Sequence, residues 1–248
     1  ATQAGNLTVV ARPVNAGTSA VSLTAGGNGS SQTLSGTTAV TGTSGVTLTA
    51  DRIEMPNTST VNAGAATATL QPFTAGTLID LGSTTDAAAN TLELADAELD
   101  KITSGTLVIG RDDGTAASTI TVSQPITAPA GWNTLSLRTG ASVIDGNAAA
   151  GADITASNLA IRSVSGIGAG NPLETAVTNL AFSNTGAGGV AFDQPRHFQG
   201  VRLAFDHARA RDQDEWSFAV EDDVADADRV HSGHRFSCRA QRARGGGL

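Results

Sequence analysis

Asp96, Glu98 and Asp100 put three carboxyl groups within five residues, close enough to share work on one bond. A pair of carboxyls acting as acid and base is the machinery of glycoside hydrolysis. The group therefore defines the enzymatic alternative for this chain, a carbohydrate-active enzyme of the polysaccharide lyase or hydrolase kind. Such an enzyme also needs aromatic platforms for sugar rings and basic groups on the same face. The sequence has two Trp, seven Phe and no Tyr, with no clear cluster among them. Acids in the first turn of a helix have an ordinary reason to be there, because they oppose the positive end of the helix dipole. The three are read as helix-start residues, and no catalytic residue is assigned.

Other groups offer ligand chemistry. Asp112-Asp113-Gly114 and Asp145-Gly146-Asn147 carry the oxygens that Ca²⁺ takes. The glycine-rich nonapeptide of calcium-binding β-rolls is absent, however. Both runs are read as turns, where Asp, Asn and Gly bond the local backbone or adopt positive φ. His231, His234 and Cys238 have a spacing that zinc accepts, but no fourth ligand stands out beyond His207 and Asp228. Arg239, Arg242 and Arg244 make a basic end suited to anionic lipid or nucleic acid, read here as a solvated terminus. Trp132, within Ala130-Gly131-Trp132-Asn133, reads either as an exposed sugar-stacking residue or as cover for a core. No metal ligand and no cofactor-binding residue is expected.

The elements that would hold these residues are short strands. Alternating apolar and polar residues fill 6–10, 20–24, 45–50, 66–72, 77–81, 91–94, 106–110, 119–123, 134–138, 154–162 and 178–183. Leu7-Thr8-Val9, Val46-Thr47-Leu48 and Leu135-Ser136-Leu137 show the pattern, which buries one face and wets the other. The anchors Leu7, Leu23, Val46, Leu70, Leu92, Leu107, Ile120, Leu135, Ile154 and Leu180 follow one another at 13 to 26 residues. That interval is about one coil of a solenoid. A sandwich would use a more even rhythm of roughly 8–12 residues and heavier core side chains. Two helical turns are expected. One starts near Asp96, with Leu99 and Ile102 on one side and Gly105 closing it; the other starts at Asn171-Pro172.

Composition agrees with thin, stacked layers. The first 192 residues contain no Cys, so stability there rests on strand pairing and burial. They carry 6 Lys and Arg against 13 Asp and Glu, and the absence of a basic patch argues against nucleic acid as a partner. No apolar run approaches the roughly 20 residues needed to cross a bilayer. Residues 193–248 differ abruptly, with 9 Arg, 10 Asp and Glu, all four His and the single Cys. The chain is therefore divided into a repeat region, 1–192, and an atypical charged tail, 193–248. The tail is read as disordered, as a cap with a helix at 201–212, or as frame-shifted or chimeric text.

Several segments carry a family resemblance. LELADAELDKITSGTLVIG (92–110), ITVSQPIT (120–127), LSLRTGASVIDGN (135–147) and LAIRSVSGIGAGNPLETAVTNLAFSNTGAGGV (159–190), in that order, resemble units of large filamentous-haemagglutinin-like exoproteins of proteobacteria. The resemblance spans about residues 40–190 and departs after Val190. It implies a right-handed parallel β-helix, so the chain is expected to be all-β, with one or two short helical turns and an irregular or helical tail as read from the residues themselves. It implies a middle segment of a two-partner-secretion filament, exported by an outer-membrane transporter to the bacterial surface. Adhesion and biofilm formation would follow, through weak multivalent contacts with glycans or proteins of host or neighbouring cells. The family implies no catalytic residues, and none is carried over.

Overall fold

The computed structural model describes residues 1–194 except Ala11, Asn57, 114–117 and Ala150, together with the backbone of Ala219–Glu221 and His234–Cys238. Each turn of the chain lays down short strands on successive faces, and every turn stacks on the one before. The first face carries Thr2–Ala4, Val21–Gly26, Val46–Thr49, Thr67–Gln71, Thr106–Arg111, Thr134–Thr139, Ile154–Ser163 and Leu173–Asn184, all parallel. The second face begins with Leu7–Val10, Ser31–Ser35 and Arg52–Glu54. A further sheet of Thr91–Leu94, Leu78–Leu81, Ile120–Val122 and Val143–Asp145 starts beside Arg52–Glu54. The third face holds Val14–Asn15, Ala39–Thr41, Thr60–Asn62 and Ile102–Thr103. The result is a parallel β-solenoid of about seven turns, as the strand rhythm predicts.

Like residues stack on like because the register is in step from turn to turn. On the first face one inward ladder runs Val21, Val46, Ala68, Leu107, Leu135, Leu159 and Leu180. The next runs Leu23, Leu48, Leu70, Ile109, Leu137, Ile161 and Phe182. The second face adds Ile79, Leu92, Ile120 and Val143, and the third adds Val40, Val61 and Ile102, all buried. Each buried Val, Leu or Ile contributes about 1.5–3 kcal/mol. Aliphatic ladders of this thickness need few aromatics, which explains their scarcity in the sequence.

One turn is longer than the rest. The second inward ladder advances 39 residues from Leu70 to Ile109, against 21 to 28 elsewhere. The chain runs through Leu78–Leu81, returns through 82–90, and lays Thr91–Leu94 on the near side of it. The anchors read from sequence mix these faces, because Leu7, Leu92 and Ile120 do not belong to the ladder of Leu23.

The helical turn near Asp96 is present as Asp96–Leu99, with Leu99 and Ile102 buried. Its cap is Ala95, whose N–H is bonded by the Glu98 carboxylate at 3.1 Å. Gly105 serves a different purpose from closing that helix. A Cβ there would lie 2.2 Å from the Ala65 carbonyl oxygen, so the two turns approach too closely for a side chain. The second helix, at Asn171-Pro172, is not formed. Leu173 opens a 12-residue strand, and Pro172 lies just outside it. Pairing along the whole of Ile154–Ser163 outweighs the local helix signal. After Val190–Gln194, the strands His234–Cys238 and Ala219–Glu221 continue the sheet antiparallel. The helix expected at 201–212 lies outside the described residues.

Candidate functional site

Of the acids near the helical turn, Asp96 and Glu98 are occupied with the fold, and Asp100 is exposed at its end. Asp96 accepts the backbone N–H of Thr127 at 2.8 Å and its hydroxyl at 3.0 Å, tying the helical turn to the next coil. Glu98 accepts the N–H of Met55 at 2.9 Å as well as that of Ala95. Asp100 has its carboxyl pushed up by burial and then by the charge of Asp96. Asp112 meets Arg162 at 2.9 Å, and Asp113 meets Arg111 at 3.8 Å. Trp132 is 3% exposed and donates its ring N–H to the Leu99 carbonyl at 3.1 Å. It covers the core and offers no open ring face to a sugar. The side chains of His207, Asp228, His231, His234, Cys238, Arg239, Arg242 and Arg244 lie outside the described residues.

Two buried carboxylates act as ties. Asp51 sits at the corner after Val46–Thr49 and reaches the coils on both sides. It accepts Gly29 N–H at 2.8 Å, Thr74 N–H at 2.7 Å, Thr74 Oγ1 at 2.5 Å and Thr77 Oγ1 at 3.3 Å. Glu93 holds the return loop. It accepts Ser83 Oγ at 2.6 Å, Thr85 Oγ1 at 3.0 Å and Ala88 N–H at 2.7 Å. Burial pushes the Glu93 carboxyl up, but these hydrogen bonds together outweigh it and hold the group below its ordinary value. Asp86 lies on the same loop, half-buried. Burial first, and then the charges of Glu98, Glu54 and Glu93, push it up to about 6.

A third group stands at another corner. Asp145 ends the strand Val143–Asp145, Asp153 precedes Ile154–Ser163, and Glu174 is the second residue of Leu173–Asn184. Carboxylate oxygens of all three lie within 4.8 Å of one another. Asp145 makes the expected turn, accepting Asn147 N–H at 2.6 Å, and Asn171 donates its amide to the same carboxylate. Asp153 accepts Glu174 N–H at 3.0 Å through Oδ2, and its side chain is wholly buried. With both groups ionised, Asp153 Oδ1 and Glu174 Oε2 are buried without a hydrogen-bond donor. Burial pushes Glu174 up, and the hydrogen bond and charge of Asp153 push it further. Asp153 is pushed up by burial against hydrogen bonds from Glu174 and Asn147. An acid and base pair must both reach a scissile bond, and Asp153, at 0% exposure, does not reach the surface.

Sequence reasoning found Asp145 as a turn residue and missed its partners. The signal was there: Glu174 follows Asp153 by 21 residues, one coil, so the two acids stack. No protein-family model matches the chain, and neither does any curated protein or solved structure compared with it. Fold and corner together define the class, a parallel β-solenoid with acidic ties between coils. Among the described residues no helix is long and apolar enough to cross a membrane.

Proposed function

We propose that the chain is a structural and adhesive repeat segment of a secreted bacterial surface filament, without catalysis of its own. The observation that supports this reading most is the unbroken parallel pairing from Thr2–Ala4 to Leu173–Asn184. Such stacking converts chain length into reach, because each turn adds about 4.8 Å along one axis. The outer positions suit a wet surface. Ser22, Thr47 and Thr69 stack on the first face. Asn179 donates to Asn158 Oδ1 at 2.8 Å, and Asn158 donates to the Asn133 carbonyl at 3.1 Å. Flat polar ladders of this kind give many weak contacts to glycans or proteins of a neighbouring cell, and the array supplies avidity. The resemblance to filamentous-haemagglutinin-like exoproteins supports export by an outer-membrane transporter and the cell surface as location.

The test is a glycan array probed with the full chain, once free and once clustered on beads, with sugar products assayed in the same wells. Selective binding that rises about 10²-fold or more on clustering, without product, is the expected result. Cleavage of any bound polysaccharide overturns the reading in favour of a carbohydrate-active enzyme.

A further inference from the structure

We infer that Asp145, Asp153 and Glu174 form a calcium site that pins successive coils of the solenoid at one corner. This goes beyond the shaft reading and does not depend on it.

Three observations carry it. The first is the ligand set, since the oxygens of three carboxylates converge within 4.8 Å. The second is the state of the two central groups. Asp153 has no exposed surface, and with both groups ionised its Oδ1 and Glu174 Oε2 are buried without a donor. A buried carboxylate oxygen with no donor destabilises the fold, and a cation between the two removes that cost. The third is register. Glu174 lies one coil above Asp153, and Asp193 is paired with Glu174 one coil further on. Like charges in directly opposed positions destabilise a sheet. The tie residues Asp51 and Glu93 show how this chain stabilises a buried carboxylate with hydroxyl and amide donors. At the Asp153 corner the opposite partner is another acid.

The chemistry selects the ion. The three ligating groups are all carboxylates, with no nitrogen or sulfur among them, which favours a hard cation. Ca²⁺ accepts irregular sets of six to eight oxygens, while Mg²⁺ demands a near-ideal octahedron and keeps its water. Three side chains drawn from two coils, with water completing the shell, fit the larger ion. The expectation from sequence that Asp145 is only a turn residue is thereby widened: it keeps the turn and adds a ligand.

The experiment uses the full chain, stripped with a chelator and titrated with CaCl₂ or MgCl₂ in a calorimeter, with thermal unfolding followed by circular dichroism. The expected result is one saturable calcium event with a dissociation constant of about 0.1–1 mM, the range of extracellular modules. Saturating calcium raises the melting temperature by about 3–6 °C, and magnesium does less. Glu174→Gln abolishes the calcium event, and its calcium-free form is at least as stable as the calcium-free parent, because a like charge is gone. Asp153→Asn, folded by its dichroism spectrum, does the same and covers failure of the first variant. No heat and no shift with calcium for the parent chain overturns the site, leaving a shared proton between the two carboxyls. Equal calcium binding by parent and variants overturns it too, by placing the ion elsewhere.

Discussion

The corner at Asp51 and the corner at Asp153 are built from the same material and reach opposite electrical solutions. Both put a buried carboxylate between coils. Around Asp51 two backbone N–H groups and two hydroxyls converge. Around Asp153 the donors are the Glu174 N–H, which reaches Oδ2, and the Asn147 side chain, while Oδ1 faces further carboxylates and, with these ionised, has no donor. Glu93 and Asp86 repeat the contrast within one loop, the first held down by donors and the second pushed up by burial and neighbouring acids. Asp51, Glu93 and Asp153 are buried and Asp86 is half-buried. The supply of donors decides whether the charge is native to the fold or must be met by a proton or an ion.

Asp51 carries the largest expected effect. Asp51→Ala strips the donors of Gly29 and Thr74 of their acceptor and leaves them in the corner. Each such amide costs about 1–3 kcal/mol, so a loss of roughly 3–5 kcal/mol is expected in urea unfolding. Asp51→Asn keeps one acceptor oxygen and should recover part of it. A loss below about 1 kcal/mol for Asp51→Ala would mean that water replaces the carboxylate and that the tie is not structural.

Glu93 tests the same idea through pH. Glu93→Gln replaces an acceptor oxygen by an NH₂ that meets the N–H of Ala88 or a hydroxyl, at a cost of about 1.5–3 kcal/mol at neutral pH. The folded Glu93 sits below its ordinary value of 4.5, so its stabilisation is complete above that pH and is lost as pH falls through the lower folded value. Parent and variant should therefore differ by a constant amount at neutral pH and converge in acid. A gap that widens below pH 4.5 would contradict the assigned role. The loop 82–90 is the segment this carboxylate holds, so proteolysis of the variant should open there first.

Much of this architecture is legible in the sequence, for a physical reason. Period-two alternation around Leu7, Val46, Leu92 and Leu135 marks strands wherever one face is buried, and all four lie in strands. The third face was missed because strands such as Val14–Asn15 and Ile102–Thr103 are two residues long, too short to show a period. The 39-residue turn hid the coil length, since two strands on one face look like two coils. Asn171-Pro172 read as a helix start because local propensity ignores a partner strand a coil away. The carboxylate corner failed for the same cause. Its members are separated by turns of the chain, and only the register of Ile154–Ser163 against Leu173–Asn184 brings them together.

Gln32 takes the comparison to a neutral side chain. It occupies an inward position between Leu7 and Ile53 in the second-face ladder, with 0% exposure. Neither its oxygen nor its nitrogen has a hydrogen-bond partner. A proton or an ion offers no remedy here, so the desolvation cost of the amide stays in the folded state. Leu has a similar length and matches the ladder on both sides. Gln32→Leu should therefore stabilise the chain by about 1–2 kcal/mol, seen as a higher urea midpoint at unchanged slope. The sign is what matters. Loss of Asp51 or Glu93 removes a satisfied group and destabilises, while loss of the Gln32 amide removes an unsatisfied one. Destabilisation by Gln32→Leu would show that the amide finds partners in solution, through a bound water or a rearranged first coil. The rule that donors decide the cost of burial would then have to include water at the solenoid's first turns.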